Sequence, residues 1–267
     1  MVSRGWVGHA VRMTLVAGTN TISTEHGSVA VYLWPGEGLP LLTIHGVDGN
    51  HAAWAPLAEA LGAERSLAAV DLRGRGDASR EGPYGVAAHA ADIAVVADLL
   101  VDASGGQPID IVGHSFGGHV AARFAADHPE LVRSLLLVDG GPPRMIPEGM
   151  SPEEMVAGAL ANIVPNLGSK PFPVVAAAVE ADFASMVIDP VGARPLFDLA
   201  GAEPAGGIHV LRAESGVAPG LPPVVPDEVI EALEIAGVSL TSEVVAAVTH
   251  FSILSDPALI EAVRRLG

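Results

Sequence analysis

The chain has 267 residues, of which 49% are hydrophobic, 17% charged and 4% aromatic. That length suits one large α/β domain, or one domain with an insertion, whose core is filled by Ala, Val, Leu and Gly more than by aromatic rings. A net charge of −17 argues against a nucleic-acid partner, and the absence of Cys excludes a disulfide framework, a thiolate metal site and a Cys nucleophile.

Residues 1–19 carry no clear periodic signal and read as a loosely held arm. The start, Met1-Val2-Ser3-Arg4-Gly5-Trp6, lacks the long apolar run of a signal peptide, and no stretch of about 18 apolar residues could span a membrane. The expectation is a cytoplasmic protein. Thr21 to Trp34 alternates in part around His26-Gly27 and reads as a β-hairpin. Leu39 to Ile44 reads as a buried strand that ends in His45-Gly46-Val47-Asp48-Gly49. Ala52 to Leu61 reads as a helix stopped by Gly62. Ser66 to Leu72 is a further strand, running into Asp71-Leu72-Arg73-Gly74-Arg75-Gly76. Val86 to Val101 is a long Ala-rich helix. Pro108 to Val112 is a short β-rich run, and His119 to Ala126 reads as a helix; between them stands Gly113-His114-Ser115-Phe116-Gly117-Gly118. Val132 to Val138 is a strand ending in Asp139-Gly140-Gly141-Pro142-Pro143.

Strands alternating with helices predict a parallel sheet covered by helices on both faces. The alternation stops at Pro143. Residues 144–205 contain apparent helices and no clear strand. Ser151-Pro152-Glu153-Glu154 is a capped helix start, with amphipathic pieces following at Val174 to Met186 and Val191 to Leu199. The change in composition marks an inserted helical cap at 143–205, with a core built from 1–142 and 206–267. Gly207 to Ala213 returns to strand character, and Glu214 to Pro226 is a Gly/Pro loop. Asp227 is expected to cap a helix reaching Ala236. Val238 to Thr249 contains the last strand, His250 follows it, and Asp256-Pro257 opens the final helix.

Strand, sharp turn and helix with Ser115 at the apex fit the Gly-x-Ser-x-Gly nucleophile elbow. A hydroxyl that stands clear of the sheet needs a strained turn, and side chains two residues to either side would collide with the neighbouring strand and helix, which puts Gly at 113 and 117. A serine hydroxyl is a weak nucleophile and needs a base, for which imidazole is suited. Of ten His, three directly follow predicted strands: His45, His114 and His250. His114 adjoins the nucleophile, so its side chain points away from the hydroxyl, and His45 opens an early loop. His250, after the last strand, is the expected general base and acid. Two carboxylates end strands between Ser115 and His250, namely Asp139 and Glu214. Asp139 is favoured, because Glu214 opens a proline-rich loop, and Glu214 stands as the alternative acid. The oxyanion donors are expected to be the amides of Phe116, at a helix start, and Val47, where Gly46 lets the chain bend close.

His45-Gly46, Asp71 to Gly76, Gly113 to Gly118 and a late His250 together resemble the α/β-hydrolase superfamily, over roughly Thr21 to Leu266. The resemblance implies an eight-stranded, mostly parallel sheet with a helical lid between the sixth and seventh strands. It implies a Ser-His-acid mechanism through an acyl-enzyme, with no metal or organic cofactor. Members usually carry an Asp a few residues after the seventh strand; here Ala213-Glu214-Ser215-Gly216 places Gly at that position. Some members place the acid after the sixth strand, where Asp139 falls. Val248-Thr249 replaces the Gly-containing turn common before the catalytic His.

Arg73, Arg75 and Asp71 read as structural. Gly74 and Gly76 lack the Gly-Lys-Ser/Thr of a phosphate loop. His45, Asp48 and His51 lack the motif of a metal set. Met145, Met150, Met155, Phe172, Phe183, Met186 and Phe197 read as the packing core of the cap or the wall of an apolar pocket. The expected activity is hydrolysis of an ester, thioester or lactone of an apolar small molecule. The alternatives are a C–C hydrolase, lyase or cyclase on the same constellation, or a binding protein that keeps the pocket.

Overall fold

The computed structural model describes residues 15–266, so residues 1–14 of the expected arm lie outside the described residues. Eight strands form one sheet in the order β1-β2-β4-β3-β5-β6-β7-β8: β1 (Gly18–Thr24), β2 (Gly27–Trp34), β3 (Leu41–Ile44), β4 (Leu67–Asp71), β5 (Ile109–His114), β6 (Val132–Val138), β7 (Ile208–Ala213) and β8 (Thr241–Val245). The first two strands form the expected hairpin, β2 pairs antiparallel with β4, and every pairing from β4 to β8 is parallel.

The inner strands are buried on both faces, and their side chains divide with a period of two. Leu42, Ile44, Ala68, Val70, Ile111, Leu135 and Leu137 face one core. There they meet α2 (Val86–Ala103) and α3 (Phe116–Asp127). Leu41, Leu67, Ala69, Val112, Leu136 and Val138 face the other, against α1 (Ala55–Leu61) and the last helix, Pro257–Arg265. β8 is a short, mostly exposed edge whose polar Thr241, Ser242 and Glu243 discourage further pairing.

Between β6 and β7 the chain forms α4 (Pro152–Ile163), α5 (Ala176–Val187), the short α6 (Pro190–Ala193) and two 3₁₀ turns. Ser151 and Glu154 make the expected reciprocal capping box. The helix expected over 191–199 is instead two pieces, because Pro195 cannot continue the hydrogen-bond ladder and starts a separate 3₁₀ turn, Pro195–Leu199. After β7 the 214–226 stretch is irregular, as its prolines require, and α7 (Asp227–Ile235) follows. Asp227 does not cap it. Pro226 holds the cap position, and Asp227 Oδ1 accepts from Arg212 Nη1 at 2.7 Å. The final helix completes the set as α8. Among the described residues no helix is long and apolar enough to cross a membrane.

Candidate active site

Ser115 sits between β5 and α3 at φ +54°, ψ −121°, a conformation that L-residues rarely adopt and that costs on the order of 1–3 kcal/mol. The glycines around it leave room for this turn. A Cβ on Gly113 would stand 2.3 Å from the Gly117 carbonyl oxygen, and one on Gly117 would stand 2.2 Å from that of Ile44. Both contacts are backbone, so neither could relax.

Ser115, His250 and Asp139 come together from the ends of β5, β8 and β6. His250 Nε2 lies 2.9 Å from Ser115 Oγ, and His250 Nδ1 lies 2.6 Å from Asp139 Oδ2. A carboxylate can only accept, so Nδ1 carries the proton, and the Nε2 lone pair faces the hydroxyl. That arrangement can take up the hydroxyl proton as Oγ attacks. All three residues are at most 5% exposed. Asp139 itself holds φ +47°, which turns its side chain across the end of β7, where Oδ1 accepts from the Ala213 amide at 3.1 Å. Glu214 does not meet His250 within hydrogen-bond distance. It is exposed, and its Oε2 accepts from the Ala247 amide at 2.8 Å.

Phe116 is the first residue of α3, so its amide has no intrahelical acceptor. The Val47 amide has no acceptor among the described residues. The Val47 loop lies against the elbow: a Cβ on Gly46 would stand 3.3 Å from Ser115 Cβ and 3.1 Å from His114 Nδ1. The two unpaired donors thus lie on the two segments that meet at the serine, one directly after Ser115 and one directly after Gly46.

The loop is fixed by groups behind it. His45 Nε2 accepts from the Leu72 amide at 3.1 Å, so Nδ1 carries the proton and donates to Gly46 O at 2.7 Å. Burial lowers the His45 pKa to about 4, and the ring is neutral. Arg75 donates to the Val47 carbonyl through Nε at 2.9 Å and Nη2 at 2.6 Å. Its Nη1 pairs with Asp182 of α5 at 2.6 Å. Burial alone would raise the Asp182 pKa, but His89, Arg75 and the Gly85 amide hold it below the usual carboxylate range. Arg73 pairs with Asp92, also in the interior. Asp71 accepts from the His51 amide at 2.6 Å and from His51 Nδ1 at 2.9 Å. Arg73, Arg75 and Asp71 are all buried structural groups. Asp48 pairs with Lys170 instead of with His45 or His51, and among the described residues no cluster of His, Cys, Asp or Glu could hold a metal.

Two contributions were not readable from the sequence. His114 Nε2 donates to the backbone carbonyl of His250 at 2.8 Å, and its ring lies 4.7 Å from the His250 ring. Its adjacency to Ser115 was the one available signal. Arg75 reaches a carbonyl 28 residues away, for which no local pattern exists. Of the expected apolar set, Phe183 and Met186 are buried in the core, while Met145 and Met155 line a cleft of about 540 Å³ between residues 144–155 and the 217–228 segment, which runs into the start of α7. A separate cavity of about 320 Å³ lies under α8 against β7 and β8, away from Ser115.

A family model described as the alpha/beta hydrolase fold matches residues 40–186. The chain is 38% identical over 122 residues to lipase LipV of Mycobacterium tuberculosis, covering 46% of this chain and 44% of that protein. It is 39% identical over 121 residues to a pimeloyl-[acyl-carrier protein] methyl ester esterase of Neisseria meningitidis, covering 45% and 43%. The matched stretch is thus under half the length of these curated relatives. The fold resembles that of N-formylmaleamic acid deformylase from Pseudomonas putida S16, with a TM-score of 0.69, 22% identity, and coverage of 92% of this chain and 99% of that one.

Proposed function

We propose, because the chain belongs to the alpha/beta hydrolase fold family, that it is a serine hydrolase acting on an ester, thioester or lactone of a small molecule. The observation that carries this reading is the unbroken chain of contacts from Ser115 Oγ through His250 to Asp139. The partly matching lipase and methyl ester esterase support the reaction class by analogy.

Ser115 Oγ attacks the substrate carbonyl carbon as its proton passes to His250 Nε2. The Phe116 and Val47 amides hold the oxyanion. The tetrahedral intermediate collapses, the bond to the leaving group breaks, and His250 returns its proton to that group. Water then loses a proton to His250 and attacks the acyl-serine, releasing the acid and regenerating Oγ–H. Asp139 orients the imidazole and stabilises its cation. An Asp at the apex would suit epoxide or carbon–halogen chemistry; the serine there favours acyl transfer. The α4–α6 segment serves as the cap over this site, and no cofactor enters any step.

The test is labelling with a fluorophosphonate probe, read by intact mass and peptide mapping. One adduct on Ser115, lost in both Ser115→Ala and His250→Ala, is expected. A folded protein that takes no label would overturn the reading and favour a binding role.

A further inference from the structure

The cleft of about 540 Å³ is lined by one cation, Arg144. Arg144 is half-buried and makes no hydrogen bond or ion pair with any described residue, whereas the buried arginines among the described residues (Arg73, Arg75 and Arg212) are each paired. Its guanidinium carbon stands 5.9 Å from the centroid of the Phe183 ring. A ring face supports a guanidinium without using its N–H edge, so the donor fork remains available.

The position is tied to the reacting groups along the chain. The chain leaves β6 at Asp139 and reaches Arg144 five residues later, at most about 18 Å along a fully extended segment. Midway, Gly141 packs on α3: a Cβ there would meet the Gly118 carbonyl at 3.2 Å. The opposite wall of the cleft begins at Val217, one residue past Gly216, whose carbonyl accepts from the His250 amide at 2.9 Å. Both walls therefore start at the bonded Ser-His-Asp set. Burial lowers the Arg144 pKa while the Asp139 charge works the other way, and the Arg144 charge is felt at His114 and His119 on either side of Ser115.

We infer that Arg144 is a carboxylate-binding subsite, and that the substrate is a small acyl compound carrying a free carboxylate besides its scissile ester or thioester bond. An apolar body fits Met145, Ile146, Met155 and Leu221, and the carboxylate takes the guanidinium edge. The charge count favours a single negative charge over a phosphate dianion. Glu148 and Glu228 line the same cleft and leave it with a net charge of −1, so an anion must be held by the guanidinium fork itself, and a dianion meets about twice the repulsion that a monoanion does. The inference rests on the hydrolase reading for the scissile bond but not for the binding of the carboxylate.

Two measurements test it. Calorimetric titration of Ser115→Ala with monomethyl adipate, which carries one free carboxylate, reads the subsite without any turnover. Binding is expected, weakened about 30- to 100-fold when Arg144→Gln is added, equivalent to about 2–2.7 kcal/mol, and partly recovered by Arg144→Lys. Monomethyl adipate affinity within threefold with and without Arg144→Gln, in proteins whose circular dichroism and melting are alike, overturns the subsite. So does glycerol phosphate binding tighter than monomethyl adipate, which would replace the carboxylate by a phosphate. The second measurement is the ratio of kcat/KM for mono-p-nitrophenyl adipate to that for p-nitrophenyl hexanoate. It is expected to exceed one in the unsubstituted protein and to fall at least 30-fold in Arg144→Gln. An unchanged ratio overturns the proposal. Failure of the hydrolase reading is separately visible, since fluorophosphonate would then leave Ser115 unlabelled while monomethyl adipate binding still depended on Arg144.

Discussion

Replacing Asp139 by Asn removes one charge and keeps the shape. In the unsubstituted protein Oδ1 accepts from the Ala213 amide and Oδ2 from His250 Nδ1. An Asn side chain has one acceptor oxygen for these two donors. If that oxygen stays on Ala213, the amide NH₂ faces His250 Nδ1, which must then become the acceptor. The proton moves to Nε2 and blocks removal of the Ser115 proton. If the oxygen faces His250 instead, an NH₂ opposes the buried Ala213 N–H and leaves both unpaired. In either case the imidazolium formed during attack loses its counter-charge. Unit charges about 4 Å apart at an effective dielectric of about 20 attract by about 4 kcal/mol, which is about a thousandfold in rate. The tautomer effect adds to this, so kcat for a p-nitrophenyl ester is expected to fall by about 10³ to 10⁴, with KM little changed. Glu214→Gln, whose carboxylate bonds only the exposed Ala247 amide, is expected to stay within about threefold. Stopped-flow measurement of the acylation burst reads the step directly. An Asp139→Asn enzyme within tenfold of the unsubstituted rate would refute the assignment of the acid, and a large loss in Glu214→Gln would transfer it.

Arg75→Lys keeps a positive charge near Asp182 but cannot grip the Val47 carbonyl with two N–H groups. It is expected to lower kcat by about 10- to 100-fold with a smaller change in KM, measured by steady-state kinetics, and an effect confined to KM would show that the Arg75 grip on the Val47 loop does not serve the reaction step. His119 donates from Nδ1 to Gly192 O, and burial lowers its pKa to about 3, well below the ordinary 6.5. Between those values the unfolded chain binds the extra proton and the folded protein does not, so stability falls as pH drops from about 6.5 toward 3, by about 1.4 kcal/mol per pH unit for this group. Urea denaturation at pH 7, 6 and 5 should show a slope shallower by that amount in His119→Gln, and equal slopes would contradict it. Ala247 holds φ +60°, where an L-residue costs about 1–2 kcal/mol relative to Gly. Ala247→Gly is expected to raise stability by about 0.5–1 kcal/mol after the larger chain entropy of Gly is subtracted, read as a higher urea midpoint; a lower midpoint would show that the strain is absent.

The sheet, its order of helices and the serine turn were legible because each rests on local rules. Buried strands are continuous apolar runs, helices begin at caps such as Ser151, and close backbone approach at 113 and 117 admits only Gly. The choice between Asp139 and Glu214 was not legible in the same sense. Both end parallel strands, and what separates them spatially is a left-handed backbone at Asp139, which no residue type announces. The break at Pro195 was written in the sequence, and so was Pro226 ahead of Asp227, where the preceding proline takes the cap position and the Asp is drawn to Arg212. The Arg75–Val47 and Arg75–Asp182 contacts join segments far apart in the chain, and only the folded sheet brings them together.

Lys170 is the one lysine of the chain, and its ammonium is bonded to Asp48, next to Val47. Nearby, Gly76 donates to Pro173 O at 3.0 Å and Val175 to Gly74 O at 2.8 Å, stitching the same segment down. The protein therefore presents a single side-chain amine, placed where the segment before α5 meets the Val47 loop. An amine-reactive acylating reagent can modify that amine only while the ion pair is open. Its rate of attachment at Lys170, followed by peptide mass spectrometry across a salt series, is a built-in clock for how often this seam parts, and it needs no introduced probe.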